Sequence, residues 1–197
     1  MPSRSEAPAD PRFVDRWDGG FGWVAHPDET LRRASHALAT DDGVWLVDPL
    51  DAPGVDDRVA ELGEVAGVAV CSSWHARDAG AFADRYGVPV SVPDHVGRVD
   101  ARVDAPVERV SGRLPGTEYR LVGWTPLPTW HEAMLYRASD GTLYVPEALG
   151  TAPTFRARGE RLGVSAYARP FPPRGPLARV SPDRVLVGHG VGVFDRA

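Results

Sequence analysis

At four places the chain sets a histidine or a carboxylate at or just beyond the end of a short apolar run. They are Asp48 after VWLV, His75 and Asp78 after VAVCSSW, Glu147 after LYVP, and His189 after VLVG. Imidazole nitrogens and carboxylate oxygens both offer lone pairs at neutral pH, so such a set is raw material for a metal site or for acid–base chemistry. Each residue also has a structural account when taken singly. His75 can cap a following helix, and Asp78 suits a helix N-terminus. Glu147 reads as a solvated loop acid, and His189 as a turn residue between two glycines. Their common placement favours chemistry, because in layered α/β folds side chains from separate strand ends converge on one edge.

That placement depends on the elements around it. Residues 35–40 and 44–47 flank Asp41-Asp42-Gly43, where the Asp-Gly pair accepts positive φ and predicts a hairpin. Its second strand stops at Asp48-Pro49, since proline cannot continue the ladder. A helix is predicted over 53–64, with Asp56 and Asp57 in its first turn and Val55, Val59 and Leu62 at helical spacing. Residues 68–71 read as a buried strand, 78–86 as a second amphipathic helix stopped by Gly87, and 88–92 as the next strand. This alternation predicts an α/β layered fold. Further strands are predicted over 118–124, 132–138, 142–145 and 184–187, with a hairpin turn at Asp140-Gly141. Residues 151–180 read as a long ordered loop with room for a short helix, a kind of segment that often carries function. Residues 1–12, with Pro2, Pro8 and Pro11, predict a disordered tail, and 13–197 a single domain.

In this order the motifs resemble those of the metallo-β-lactamase superfamily, from about residue 13 to the end. The pieces are GVWLVDP, AVCSSWHARDAGAFADRYGVPVSVP, GWTPLPTWHEAMLYRASDGTLYVPEALGT and VLVGHG. The resemblance implies a four-layer αβ/βα sandwich with its site on the edge between two sheets. The family motif His-x-His-x-Asp-His falls on Ser73-Trp74-His75-Ala76-Arg77-Asp78, so only its second histidine is kept. The next family histidine falls on Pro128, the bridging aspartate on Glu147, and the final histidine is kept as His189. A two-metal centre is thereby reduced. One position keeps His75 and Glu147, with His131 as an extra ligand. The other keeps Asp78, Glu147 and His189. The resemblance thus implies one divalent ion, zinc first with iron or manganese as alternatives, or none. Arg77 puts a permanent cation where the family has a ligand, and is expected to replace the missing metal's charge by pairing with Glu147 or Asp78.

The composition narrows the function classes. At 197 residues and 43% hydrophobic, the chain suits one domain with a real core. No apolar stretch approaches the roughly 18 residues of a membrane helix, and the N-terminus lacks the apolar segment of a signal peptide. The one cysteine, Cys71, disfavours a disulfide framework and reads as a core residue, so a cytoplasmic location is expected. The net charge is -5 and all 22 basic residues are arginine, with no basic run, which argues against nucleic acid or an anionic membrane as partner. Ser72 and Ser73 lack the Gly-x-Ser-x-Gly elbow of a serine hydrolase. Trp74 and Trp130 flank the site motifs and are placed to wall a pocket. Arg156, Arg158, Arg161 and Arg174 read as solvated surface, with an anionic substrate as the alternative.

Two functions follow. The first is a hydrolase with one ion, held by His75, Asp78, Glu147 and His189, acting on an ester, lactone, amide or phosphate bond of a small molecule. Asp48 or Asp78 would orient its nucleophile. The second is a non-catalytic relative that uses the same cleft to bind a small molecule or a partner.

Overall fold

Short valine-rich runs, most of them buried along nearly their whole length, build two stacked sheets in the computed structural model, which describes residues 4–5 and 7–194. The first sheet contains β1 (Arg12–Trp17), β2 (Gly20–Val24), β3 (Ala34–Thr40), β4 (Gly43–Val47), β5 (Val65–Ala69), β6 (Val90–Pro93) and β7 (Val107–Val110), in that spatial order. Strands β1 to β4 pair antiparallel and β4 to β7 parallel. Helices α1 (Val55–Leu62) and α2 (Ala79–Tyr86) make the crossovers between β4, β5 and β6. Next come β8 (Arg120–Leu127), β9 (Trp130–Arg137), β10 (Thr142–Val145), the small pair β11 (Leu149–Gly150) and β12 (Gly163–Val164), α3 (Arg174–Leu177) and β13 (Arg184–Val187). The second sheet runs β13-β10-β9-β8.

Alternation along the strands sorts the core into three apolar seams. Val44, Leu46, Val68 and Val90 face α1 and α2, where they meet Val55, Val59, Ala79 and Phe82. On the opposite face, Trp45, Val47, Ala69 and Cys71 pack against Leu135, Tyr144 and Leu186 of the second sheet. The outer face of that sheet, through Met134, Leu143, Val145 and Val185, is covered by Leu149, Val164 and Leu177. The layers are therefore helix, sheet, sheet, and a thin cover of α3 with loop. This is the expected αβ/βα sandwich. Among the described residues, no helix is long and apolar enough to cross a membrane.

The differences from the sequence expectations have local causes. Strand β7 escaped notice because its pattern is that of an exposed edge, with Glu108 and Arg109 facing solvent. The strand expected at 68–71 pairs earlier, as β5, and Val70-Cys71 continue out of it toward the site. Of the segment expected to be a tail, Ser5 N–H donates to Glu29 Oε2 at 3.0 Å, Asp10 N–H donates to the Ala25 carbonyl at 3.1 Å, and Arg12 already belongs to β1. The rest of that expectation, at residues 1–3 and 6, lies outside the described residues.

Candidate functional site

Strand register builds the site. Parallel pairing of β10 with β13 sets Val145 opposite Val187, so Glu147 and His189, each two residues further on, emerge side by side. In the first sheet Val47 of β4 lies opposite Ala69 of β5, which brings Asp48 beside the segment that carries His75 and Arg77 into α2. The two sheets are joined at this edge. Ala34 N–H donates to the Gly188 carbonyl at 2.8 Å, and Arg33 forms a bridge with His189. Gly188 is required by close approach: a Cβ there would stand 2.3 Å from the Pro146 carbonyl oxygen and 2.9 Å from His75 Cε1.

His75, Glu147 and His189 each bring a ligand atom within 4.8 Å of the others. Glu147 Oε1 lies 2.7 Å from His75 Nε2 and 3.2 Å from His189 Nε2. Both imidazoles are held from behind, which fixes the nitrogen they present. His75 Nδ1 donates to Asp48 Oδ2 at 2.8 Å, and His189 Nδ1 donates to the Leu31 carbonyl at 2.9 Å. Phe155 stacks on the His189 ring at 5.0 Å. His189 Nε2 is buried and, among the described residues, has no aligned hydrogen bond, although Glu147 Oε1 lies 3.2 Å away. Burial alone would raise the Glu147 carboxyl, but the facing His189 and His75 outweigh it and hold the group well below the usual range.

Asp48 is fully buried beneath His75. Its carboxylate accepts from the Tyr144 hydroxyl at 2.5 Å and from the Cys71 N–H at 2.7 Å, besides His75. Desolvation pushes its pKa up, yet His75, Arg77 and the Tyr144 hydroxyl reverse that and keep it low. Asp48 therefore orients His75. It does not line the cleft, so in place of the direct catalytic role expected of it, it meets the site through His75.

Arg77 enters the same edge with a left-handed backbone (φ 42). Its NH1 donates to the carbonyls of Ala34 at 2.5 Å and Asp48 at 2.8 Å, and its NH2 to that of Gly188 at 3.2 Å. NH2 also stands 3.2 Å from His75 Nε2. Burial lowers its pKa, while Tyr144, Asp48 and Glu147 pull the other way. The expected bidentate pairing with Asp78 or Glu147 is replaced by backbone carbonyls from three strand ends.

Two other expected ligands do not join the cluster. Asp78 sits at the N-terminus of α2, and its Oδ2 accepts from the Asp51 N–H at 2.7 Å instead of facing Glu147. His131 alternates outward between buried Trp130 and Glu132, and its Nδ1 accepts from the Gly97 N–H at 3.2 Å. Ser73 Oγ donates to the Thr129 carbonyl. Cys71 is buried, as read from the sequence, and burial drives its thiol pKa well up.

A buried acid beside the cluster was not expected from the sequence. Glu132 is fully buried behind Glu147, accepting from Trp130 Nε1 at 3.0 Å and from the Ala148 N–H at 3.3 Å. Burial, with Glu147 nearby, pushes its carboxyl up to about 8. Its one signal in the sequence is an acid inside the apolar run WHEAMLY. The cluster opens into a cleft of about 840 Å³ walled by Trp74, Phe155 and Tyr167. Trp130 lies beneath Trp74, ring centroids 5.0 Å apart, so of the two expected wall residues one lines the cleft and the other backs it. The loop arginines Arg156, Arg158, Arg161 and Arg174 do not line it.

Two imidazole nitrogens and one carboxylate, with both rings anchored and one nitrogen buried without a hydrogen bond, are a donor set that suits a single divalent ion. Among the described residues no second group of three donors is assembled.

No protein-family model and no curated protein sequence matches the chain. Solved structures do. The DIM-1 metallo-β-lactamase exposed to ceftazidime superposes with a TM-score of 0.68 at 10% identity, covering 95% of this chain and 92% of that one. A metallo-β-lactamase from Pontibacter korlensis gives 0.66 at 12% identity, with 93% of each chain covered. The metallo-β-lactamase FIM-1 from Pseudomonas aeruginosa, in its mono-zinc form, gives 0.53 at 11% identity, covering 97% and 92%. With this layer order, this strand-end site and these superpositions, the chain has the metallo-β-lactamase fold.

Proposed function

We propose that the protein is a hydrolase-like enzyme with a single divalent metal position held by His75, Glu147 and His189. The observation that carries this reading is the convergence of those three donors with both imidazoles anchored at Nδ1. When bound, such an ion would polarise a scissile carbonyl or phosphoryl bond and acidify water. The residues have their own tasks. Asp48 fixes the ring of His75. The Leu31 carbonyl and Phe155 fix that of His189. Glu132 holds the start of the Glu147 loop through the Ala148 N–H. Asp78 has no part in this reading. Zinc is the first candidate, and the FIM-1 neighbour was solved in a mono-zinc form.

A second reading is favoured by one observation. The Arg77 guanidinium, 3.2 Å from His75 Nε2, already puts a positive charge beside the ligand cluster, and a non-catalytic binding protein could use that charge with no metal at all. Elemental analysis of protein purified without chelator, followed by zinc and manganese titration, tests the choice. One ion per chain, lost in His189→Ala, together with ester or phosphate hydrolysis that follows the ion, is the expected result. No binding in excess zinc or manganese would sink the metal reading and leave the second.

A further inference from the structure

The acidic chain (net charge -5) carries a cationic cleft: Arg4, Arg33, Arg77 and Arg102 line it, against one acid, Glu147. We propose that this cleft selects small molecules bearing a carboxylate or phosphate group, and that Arg33 and Arg102 recognise it. For the bond that is broken, the inference rests on the hydrolase reading; for the charge of the ligand it does not.

Arg33 is built for this. Glu29, fully buried, takes its Nε at 2.8 Å and NH2 at 3.1 Å, and also accepts from the Arg33 and Ser5 N–H groups. The carboxylate is thereby saturated, and the guanidinium is held rigid, with NH1 unengaged among the described residues. Its backbone bridge to His189 sets it beside that ligand. Arg102 closes the 3₁₀ turn Asp100–Arg102 and is exposed. One of its arms donates to the Ser73 carbonyl at 3.2 Å, two residues before His75, and among the described residues its other donors have no partner. Each histidine thus has an arginine anchored to its own segment. Arg77 contributes field more than contact, since its arms are occupied by carbonyls. A preorganised guanidinium suits planar or tetrahedral oxyanions, because its fork matches two acceptor oxygens at once. The rest of the wall is aromatic. Trp74 is backed by Trp130, and Tyr167, 76% exposed, stands at the mouth. The ligand class is therefore an acid with an apolar or aromatic body.

The test is calorimetric titration of benzoate, phenylphosphonate and the neutral analogue benzyl alcohol, with chelator present so that no metal contributes. Wild type is compared with Arg102→Ala and with the paired variant Glu29→Gln/Arg33→Gln, which leaves no buried carboxylate unpaired. Circular dichroism checks that each folds, and Arg102→Ala changes only an exposed side chain. Both anions should bind and benzyl alcohol should not. Each variant should weaken anion binding by about tenfold, the scale of one charge-assisted hydrogen bond, and added salt should weaken it further. The tighter of the two anions identifies carboxylate or phosphate as the preferred group. Equal affinity for benzyl alcohol and benzoate, or unchanged affinity in Arg102→Ala, would overturn the proposal. Rates on phenyl acetate and 4-acetoxybenzoate with zinc complete the comparison. If neither ester is cleaved, the hydrolase reading fails while the titrations still decide the matter of charge.

Discussion

Arg77 is the residue on which the site turns. It joins three strand ends through the Ala34, Asp48 and Gly188 carbonyls and also crowds His75 Nε2. Those two roles predict opposite responses. Arg77→Ala strips the donors from three carbonyls at the seam of the sheets and should cost roughly 2–4 kcal/mol of stability. It also removes a cation beside the ligand cluster, so zinc affinity should rise, and rise more in Arg77→Asp, which adds an acid there. Denaturant melts with and without zinc measure both. Variants that lose stability and bind zinc no better than wild type would show that Arg77 only braces the seam. A residue in the left-handed region without being glycine or asparagine is uncommon, and here the carbonyl bonds hold it there.

Among the elements, the second sheet is fastened at the end of β10 away from the site. Asp140, in the turn between β9 and β10, accepts from Arg137 of β9 at 2.9 and 2.6 Å, from the Thr142 hydroxyl of β10 at 2.8 Å, and from Arg184 of β13 at 2.9 Å. Burial would raise its carboxyl, but the Arg137 and Thr142 hydrogen bonds lower it from 3.8 to about 2. The native state therefore favours the ionised form. The stability this provides is complete above the unfolded value and is lost as pH falls through about 2. The group is partly exposed, so solvent screening reduces the contribution to about 1 kcal/mol. Asp140→Asn should be less stable than wild type by that amount at pH 7, and the gap should close between pH 4 and pH 2 in thermal melts. A gap that persists at pH 2 would mean that packing, not charge, is lost in the variant. Since β10 and β13 carry Glu147 and His189, the register fastened here also sets the spacing of the ligands.

For the molecule as a whole, an ion shared by the ends of β10, β13 and the segment before α2 would bind the folded chain and not the unfolded one. Zinc at a hundredfold excess over its dissociation constant should add about 2.7 kcal/mol. In a chain of this length that raises the melting temperature by roughly 5–10 °C. His189→Ala, which removes one of three donors, should abolish most of the shift. Scanning calorimetry reads both, and a zinc shift of equal size in wild type and variant would place the bound ion elsewhere. Because the ligands come from distant parts of the chain, such binding would tie the two sheets together.

The fold was legible because its signals are local and repeated. Asp41-Asp42-Gly43 marks the β3–β4 turn, Val55, Val59 and Leu62 mark the buried face of α1, and the apolar runs before Glu147 and His189 end where β10 and β13 end. His75, Glu147 and His189 could be named for the same reason, since each follows such a run and the parallel pairing does the rest. What only tertiary structure decided is where neighbouring side chains point. Asp48 and Asp78 look equivalent in sequence, each a carboxylate after an apolar segment, yet one lies buried under His75 and the other accepts from Asp51. Their difference is a matter of backbone direction at a strand end and at a helix start, which composition and periodicity do not encode. Glu29, Arg33 and Arg102 carry no sequence signal at all. The position of Arg33 at the cleft arises from its bridge to His189, across the seam of the two sheets, and that of Arg102 from its hydrogen bond to Ser73, between the segments that follow β5 and β6. Both are contacts between segments far apart in the chain that only the tertiary structure makes.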